Sequence, residues 1–135
     1  KSNNINFYES GNTNSNIIFI KNIFSNNEEQ LIFNKILKAL KLSQNQFFII
    51  DIINSNMKSD KKLKSLLNQL NSKFIITLGL EASHFLLDTN KSLDILRTQK
   101  NYFKTSKVIS TYSIQDIMIN SNLKKHMWND LKIIL

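Results

Sequence analysis

Four short apolar runs punctuate the chain, with amphipathic segments between them. Ile17-Ile18-Phe19-Ile20 is β-branched and aromatic throughout and predicts a first strand. Phe47 to Ile53 is apolar but for Asp51, which suits a strand covered on both faces. Phe74 to Leu78 predicts a third strand, ended by Gly79, and Val108 to Thr111 a fourth. The intervening segments have helical spacing. Ser25 and Glu28 stand at capping-box distance. From Glu29 onward Leu31, Ile32, Ile36, Leu37 and Leu40 recur on one stripe, while Lys35, Lys38 and Lys41 fall between them. Ser59 is placed to cap a helix running to about Leu70, with Leu63, Leu66, Leu67 and Leu70 as its stripe and Lys58, Lys61, Lys62 and Lys64 off it. Leu80 to Leu87 predicts a short helix that turns Ala82, Phe85 and Leu86 toward the sheet. Leu93, Ile95 and Leu96 fit either a turn of helix or a loop. Ser113 to Ile119 fits a short helix or turn. Ser121 is expected to cap a last helix whose buried stripe is Leu123, Met127, Leu131 and Ile134, with Trp128 in the core beside it.

Strands therefore alternate with helices, and each connection is long enough for a right-handed crossover. The expected architecture is α/β: a three-layer sandwich with a four-stranded, mainly parallel sheet and helices on both faces. Residues 17–135 read as a single domain, and residues 1–16 as an Asn-rich loop or extended lead-in. Phe7 and Tyr8 interrupt that lead-in. They either plug the edge of the core or anchor a partner, and they are the candidate partner-binding residues.

Charge and composition narrow the function classes. The net charge is +8, nearly all from lysine, with Arg97 the sole arginine. A basic balance points to acidic partners, nucleic acid first. Specific base contacts favour bidentate arginine, however, and the abundance of Asn, Ile, Lys and Ser without proline is what AT-rich coding imposes. The absence of cysteine excludes disulfides, thiolate metal sites and a cysteine nucleophile in this sequence. Two histidines, His84 and His126, read as partly exposed structural residues, so neither a metal nor a cofactor is expected. No apolar run approaches the ~20 residues of a bilayer span. No signal peptide is visible, and a cytoplasmic protein is expected. The first residue is Lys1, not Met, which leaves room for a preceding segment. Asp51 lies near a strand end, where open α/β sheets bind ligands; pairing with a lysine or capping a turn is the simpler expectation.

The second half resembles the uracil-DNA glycosylase superfamily. Ile76-Thr77-Leu78-Gly79-Leu80-Glu81-Ala82 and Leu86-Leu87 are similar to that superfamily's strand-to-helix motif. Thr111-Tyr112, Ile117-Met118, Asn120, Lys124 and Trp128-Asn129-Asp130-Leu131 follow the order of its last motif. The departures fall on the chemistry. Ser113-Ile114 stand where the glycosylases carry His-Pro, Ile119 replaces an arginine, and Ser121 a proline. Lys21-Asn22-Ile23-Phe24-Ser25 replaces the Gly- and Pro-containing loop after the first strand. Extruding a base and stabilising the charge of glycosidic cleavage need both pieces. The resemblance thus implies the scaffold without catalytic residues. A non-enzymatic family resembles the chain more fully: the psi subunits of bacterial DNA polymerase III. It matches Asp116-Ile117, Asn120 and Trp128, and also the helix end Ile36-Leu37-Lys38-Ala39-Leu40-Lys41-Leu42 followed by Ser43. That resemblance implies a bridge between a chi-type subunit and the clamp-loader (tau/gamma) subunits, with indirect contact to single-stranded DNA-binding protein. It also places Phe7 and Tyr8 near the clamp-loader segment. The alternatives are a divergent glycosylase-like repair enzyme and a lysine-rich nucleic-acid-binding module.

Overall fold

The computed structural model describes residues 6–53 and 61–135. The expected cap at Ser59 lies outside the described residues. Six strands form one mixed sheet: β1 (Phe7–Gly11), β2 (Ile17–Asn22), β3 (Phe47–Ile52), β4 (Phe74–Leu78), β5 (Asn101–Phe103) and β6 (Ser106–Thr111). Their order across the sheet is β1-β3-β2-β4-β6-β5. The inner four are parallel and are the four expected from the apolar runs. The expectation of four strands is nevertheless two short. β1 and β5 add antiparallel edges on either side.

Among the described residues six α-helices connect and cover the strands: α1 (Asn27–Ala39), α2 (Lys61–Gln69), α3 (Leu80–Leu87), α4 (Leu93–Thr98), α5 (Ile114–Ile119) and α6 (Leu123–Leu131). The α1 cap falls one residue later than the Ser25–Glu28 spacing suggests. Asn26 Oδ1 accepts from Glu29 N–H at 3.0 Å, and Glu29 Oε1 accepts from Ser25 N–H at 2.7 Å. On that helix Phe33, absent from the expected stripe, is fully buried, while Leu31 faces solvent. Helical phase explains the exchange: Phe33, Leu37 and Leu40 follow at four- and three-residue steps.

The period of two along each strand divides the core into two layers. Ile17, Phe19, Phe47, Ile76, Leu78 and Ile109 meet Phe33 and Leu37 of α1, Ile114 and Ile117 of α5, and Met127 and Leu131 of α6. Ile18, Ile20, Phe48, Ile50, Ile52, Ile75 and Val108 meet Leu63 and Leu67 of α2, and Ala82, Phe85 and Leu86 of α3. Phe19 and Phe33 lie edge to face at 5.2 Å, an arrangement worth about 1 kcal/mol beyond the area it buries. The second layer also contains polar groups. Thr77 Oγ1 bonds Ser83 Oγ at 2.8 Å and donates to Ser110 Oγ at 2.9 Å, joining β4, α3 and β6 through buried hydroxyls.

Both glycines of the chain have φ of +103° and stand where a side chain has no space. A Cβ on Gly11 would lie 2.6 Å from Phe47 O, where β1 ends against β3. A Cβ on Gly79 would lie 2.9 Å from Ser113 Cβ, where the turn after β4 meets the turn after β6.

Gly79→Ala is expected to cost about 2 kcal/mol from backbone conformation and this contact together. Adding Ser113→Gly should recover the contact portion alone. Urea unfolding of both variants measures this, and an unchanged midpoint in Gly79→Ala would show that the turn yields freely.

Candidate functional site

Open α/β sheets bind ligands beyond the carboxyl ends of their strands, where successive connections leave in opposite directions. Here that point lies between β2 and β4, since the chain goes from β2 to β3 on one side and returns to β4 on the other. A cleft of about 310 Å³ opens there, lined by Asn22, Gly79, Glu81, Ser113, Gln115 and Asp116 with Leu78 and Leu80. Gly79 forms its floor because its backbone N–H donates to Thr111 O at 2.8 Å, extending the ladder one step past β4.

The polar side chains of this cleft have partners within the fold. Asn22 Nδ2 donates to Glu81 Oε1 at 3.0 Å. Gln115 Nε2 donates to Glu29 Oε1 at 3.1 Å. Ser113, at the position the resemblance assigns to a catalytic histidine, caps α5. Its Oγ accepts from Asp116 N–H, and Asp116 Oδ2 accepts from Ser113 N–H, both at 3.0 Å. Among the described residues the lining contains two carboxylates and no lysine or arginine. Such a wall suits a hydrogen-bond donor or a cation and repels a phosphate backbone.

Beside the cleft, parallel register sets Lys21 of β2 opposite Asp51 of β3. Both therefore project from the same face, and Lys21 Nζ pairs with Asp51 Oδ1. Lys21 is 5% exposed, and its ammonium lies 3.4 Å from the centre of the Phe24 ring. Burial pushes its pKa below the ordinary 10.5, although Asp51 and Glu29 act in the opposite sense. Asp51 thus has the lysine partner that the sequence made the simpler expectation.

A third cluster ties the last motif together. Arg97 of α4 donates from Nε to Asp130 Oδ2 at 2.7 Å and from Nη2 to Asp130 Oδ1 at 3.2 Å. Its Nη1 donates to Tyr112 OH at 3.1 Å, and its Cζ stands 4.7 Å from the Tyr112 ring centre. Thr111 Oγ1 donates to the same Asp130 at 2.6 Å. The Asp130 hydrogen bond raises the Arg97 pKa further above its usual value. The chain's single arginine is therefore committed within the fold. Sequence reasoning found Thr111, Tyr112 and Asp130 but not Arg97, because nothing in the spacing links α4 to α6.

The partner-binding candidates separate. Neighbouring residues of a strand face opposite sides. Phe7 packs against the second core layer, whereas Tyr8, 53% exposed, projects from the other face. The two side chains therefore face opposite sides of the sheet. Trp128 also departs from expectation: it is 38% exposed, because Met127 and Leu131 take the inward positions of α6 and turn Trp128 toward α1. His84 is half-buried, with Nε2 2.7 Å from Lys91 O. His126 is exposed. Among the described residues no cluster of His, Cys, Asp and Glu could hold a metal ion, and no helix is long and apolar enough to cross a membrane. No protein-family model and no curated protein sequence matches the chain.

Burial of Lys21 makes a pH prediction. Between its lowered folded pKa and 10.5 the unfolded chain binds more protons at this group than the folded one. Its contribution to stability should therefore rise with pH through that window. The stability of the wild type relative to Lys21→Met should climb as pH approaches about 10.5 from below. A flat or falling difference in chemical denaturation would reject the assignment.

Proposed function

We propose that this chain is a non-catalytic docking subunit of psi type, working in the cytoplasm and joining a chi-type subunit to the clamp-loader (tau/gamma) subunits of a bacterial DNA polymerase III. The same reading takes the α/β/α layout as a uracil-DNA glycosylase-type scaffold. It draws on the motif resemblance, and the observation that carries it is the use of Ser113. At the position of the glycosylase histidine stands a hydroxyl that closes a capping box with Asp116. The loop after β2 likewise supplies Phe24 to cover Lys21, instead of a group aimed into the cleft. A general base or oxyanion donor must be within hydrogen-bond reach of a reacting atom. In this cleft Asn22 bonds Glu81, Gln115 bonds Glu29, and Ser113 and Asp116 cap α5.

The test mixes the purified chain with purified chi-type and clamp-loader subunits from the same genome. Co-elution in a defined stoichiometry with at least one of them is expected, together with no strand scission of a uracil-containing oligonucleotide after alkali. Failure to bind either subunit overturns the psi reading. Scission abolished by Asp51→Asn or His84→Ala would replace it with the repair-enzyme reading.

One observation favours a second reading, contact with nucleic acid. Lysines gather at the amino ends of the strands: Lys73 precedes β4, Lys107 opens β6 beside it, Lys104 lies in the β5–β6 turn, and Lys41 shares with Lys73 a cleft of about 550 Å³. If this end binds phosphates, affinity for single-stranded DNA should fall steeply with salt, with a slope of roughly 0.7 per neutralised phosphate. Lys41→Glu with Lys73→Glu should flatten that slope. Weak, non-saturating binding at physiological salt would set this reading aside.

A further inference from the structure

Helices α1 and α6 lie on the same face of the sheet, and α5 closes the space between them at one end. A groove of about 220 Å³ runs between them. Its walls are Ile32, Ile36 and Ala39 from α1, Ile117 from α5, and Met127 and Trp128 from α6. This volume is below the usual range for a small-molecule pocket, and suits side chains inserted from a partner. Trp128 is an unusual residue to leave at the mouth of an apolar groove, since tryptophan in such a position commonly carries binding energy. Methionine beside it lets the wall adapt to an incoming side chain.

The charges around the groove are one-sided. Lys35 of α1 and Lys124 of α6 line opposite walls, and both are exposed. Among the described residues no carboxylate lines the groove. Lys38 and Lys125, also exposed, continue the two helices beside these positions. The occupant must therefore match an apolar floor between two cationic rims.

We propose that the α1–α6 groove is the docking site for an acidic amphipathic helix of a partner protein, which lays apolar side chains between the helices and sets carboxylates against Lys35 and Lys124. This is helix-in-groove recognition, read through residues at i, i+3, i+4 and i+7 of the guest. The proposal deepens the docking role given above and rests on that role, though not on the identity of the partner. It is also separate from the lysines at the amino ends of the strands, which surround a more polar cleft.

Trp128 is the chain's only tryptophan, so its emission reports the groove directly. The probe is a synthetic helical peptide with leucines on one stripe and glutamates along both flanks. Titration into the full chain should give a saturable blue shift. Lys35→Glu with Lys124→Glu should weaken binding by about tenfold or more, which two reversed rim pairs at up to ~1 kcal/mol each can supply. Both residues are exposed, so circular dichroism of this variant should match the wild type. A peptide with the leucines changed to serine should not bind. A matching peptide with lysine flanks should bind at least tenfold more weakly.

Three outcomes would overturn the proposal. The first is an unshifted Trp128 signal at millimolar peptide. The second is equal affinity for acidic and basic flanks, which removes the charge argument. The third is a blue shift that grows with protein concentration alone, which assigns the groove to a second copy of this chain. Failure of the chi-type and clamp-loader subunits to bind, with the peptide titration unchanged, would reject the psi reading and leave this surface standing.

Discussion

Everything in the architecture depends on the burial of β2 and β3 on both faces. Ile17, Ile18, Phe19 and Ile20 are all withdrawn from water, as are Phe47, Phe48, Ile50 and Ile52. A strand with no solvated face requires a helical layer above and another below. The handedness of parallel crossovers then decides which helix goes where. Moving from β2 to β3 puts α1 on one face. Returning to β4 and on to β6 puts α2 and α3 on the other. The half of the first face above β4 and β6 is left for whatever follows the last strand, and α5 and α6 fill it. The seam between α1 and α6 is thus the meeting of two helices that arrive from opposite ends of the sequence.

The parts legible in the sequence were those where one force dominates. Continuous apolar runs gave the four inner strands, because double burial leaves no alternation to misread. The edge strands were hidden for the complementary reason. Phe7-Tyr8-Glu9-Ser10-Gly11 exposes most of its residues, and its pairing with β3 is a long-range event that composition does not signal. Asn101-Tyr102-Phe103 is only three residues long. Near α1, Ser25 and Asn26 are both competent caps, and the choice depends on which places Glu29 where it can reach back. Trp128 was misplaced because size and hydrophobicity argue for burial, while helical phase had already assigned the inward positions to Met127 and Leu131.

The cleft at the carboxyl ends was not located from the sequence, which considered a strand-end site only at Asp51. The strand order, a long-range property, is what sets it between β2 and β4 beside Gly79. Its chemistry is set by pairings that cross the chain, such as Asn22 with Glu81 and Gln115 with Glu29. The residues that carry the motif resemblance make hydrogen bonds within the fold. Thr111 and Asp130 hold the last helix to β6, Arg97 joins them from α4, and Ser113 starts α5.

The close approach of Gly79 to Ser113 has a consequence for how such a chain can diversify. The two turns that border the cleft are sterically interlocked: a Cβ at position 79 would meet the Cβ at 113, so one turn must shift to admit it. Drift at either turn is therefore conditional on its neighbour. The helix cap is the freer of the two, because a serine can be traded for another small polar residue, whereas any replacement of the glycine also strains a backbone of positive φ.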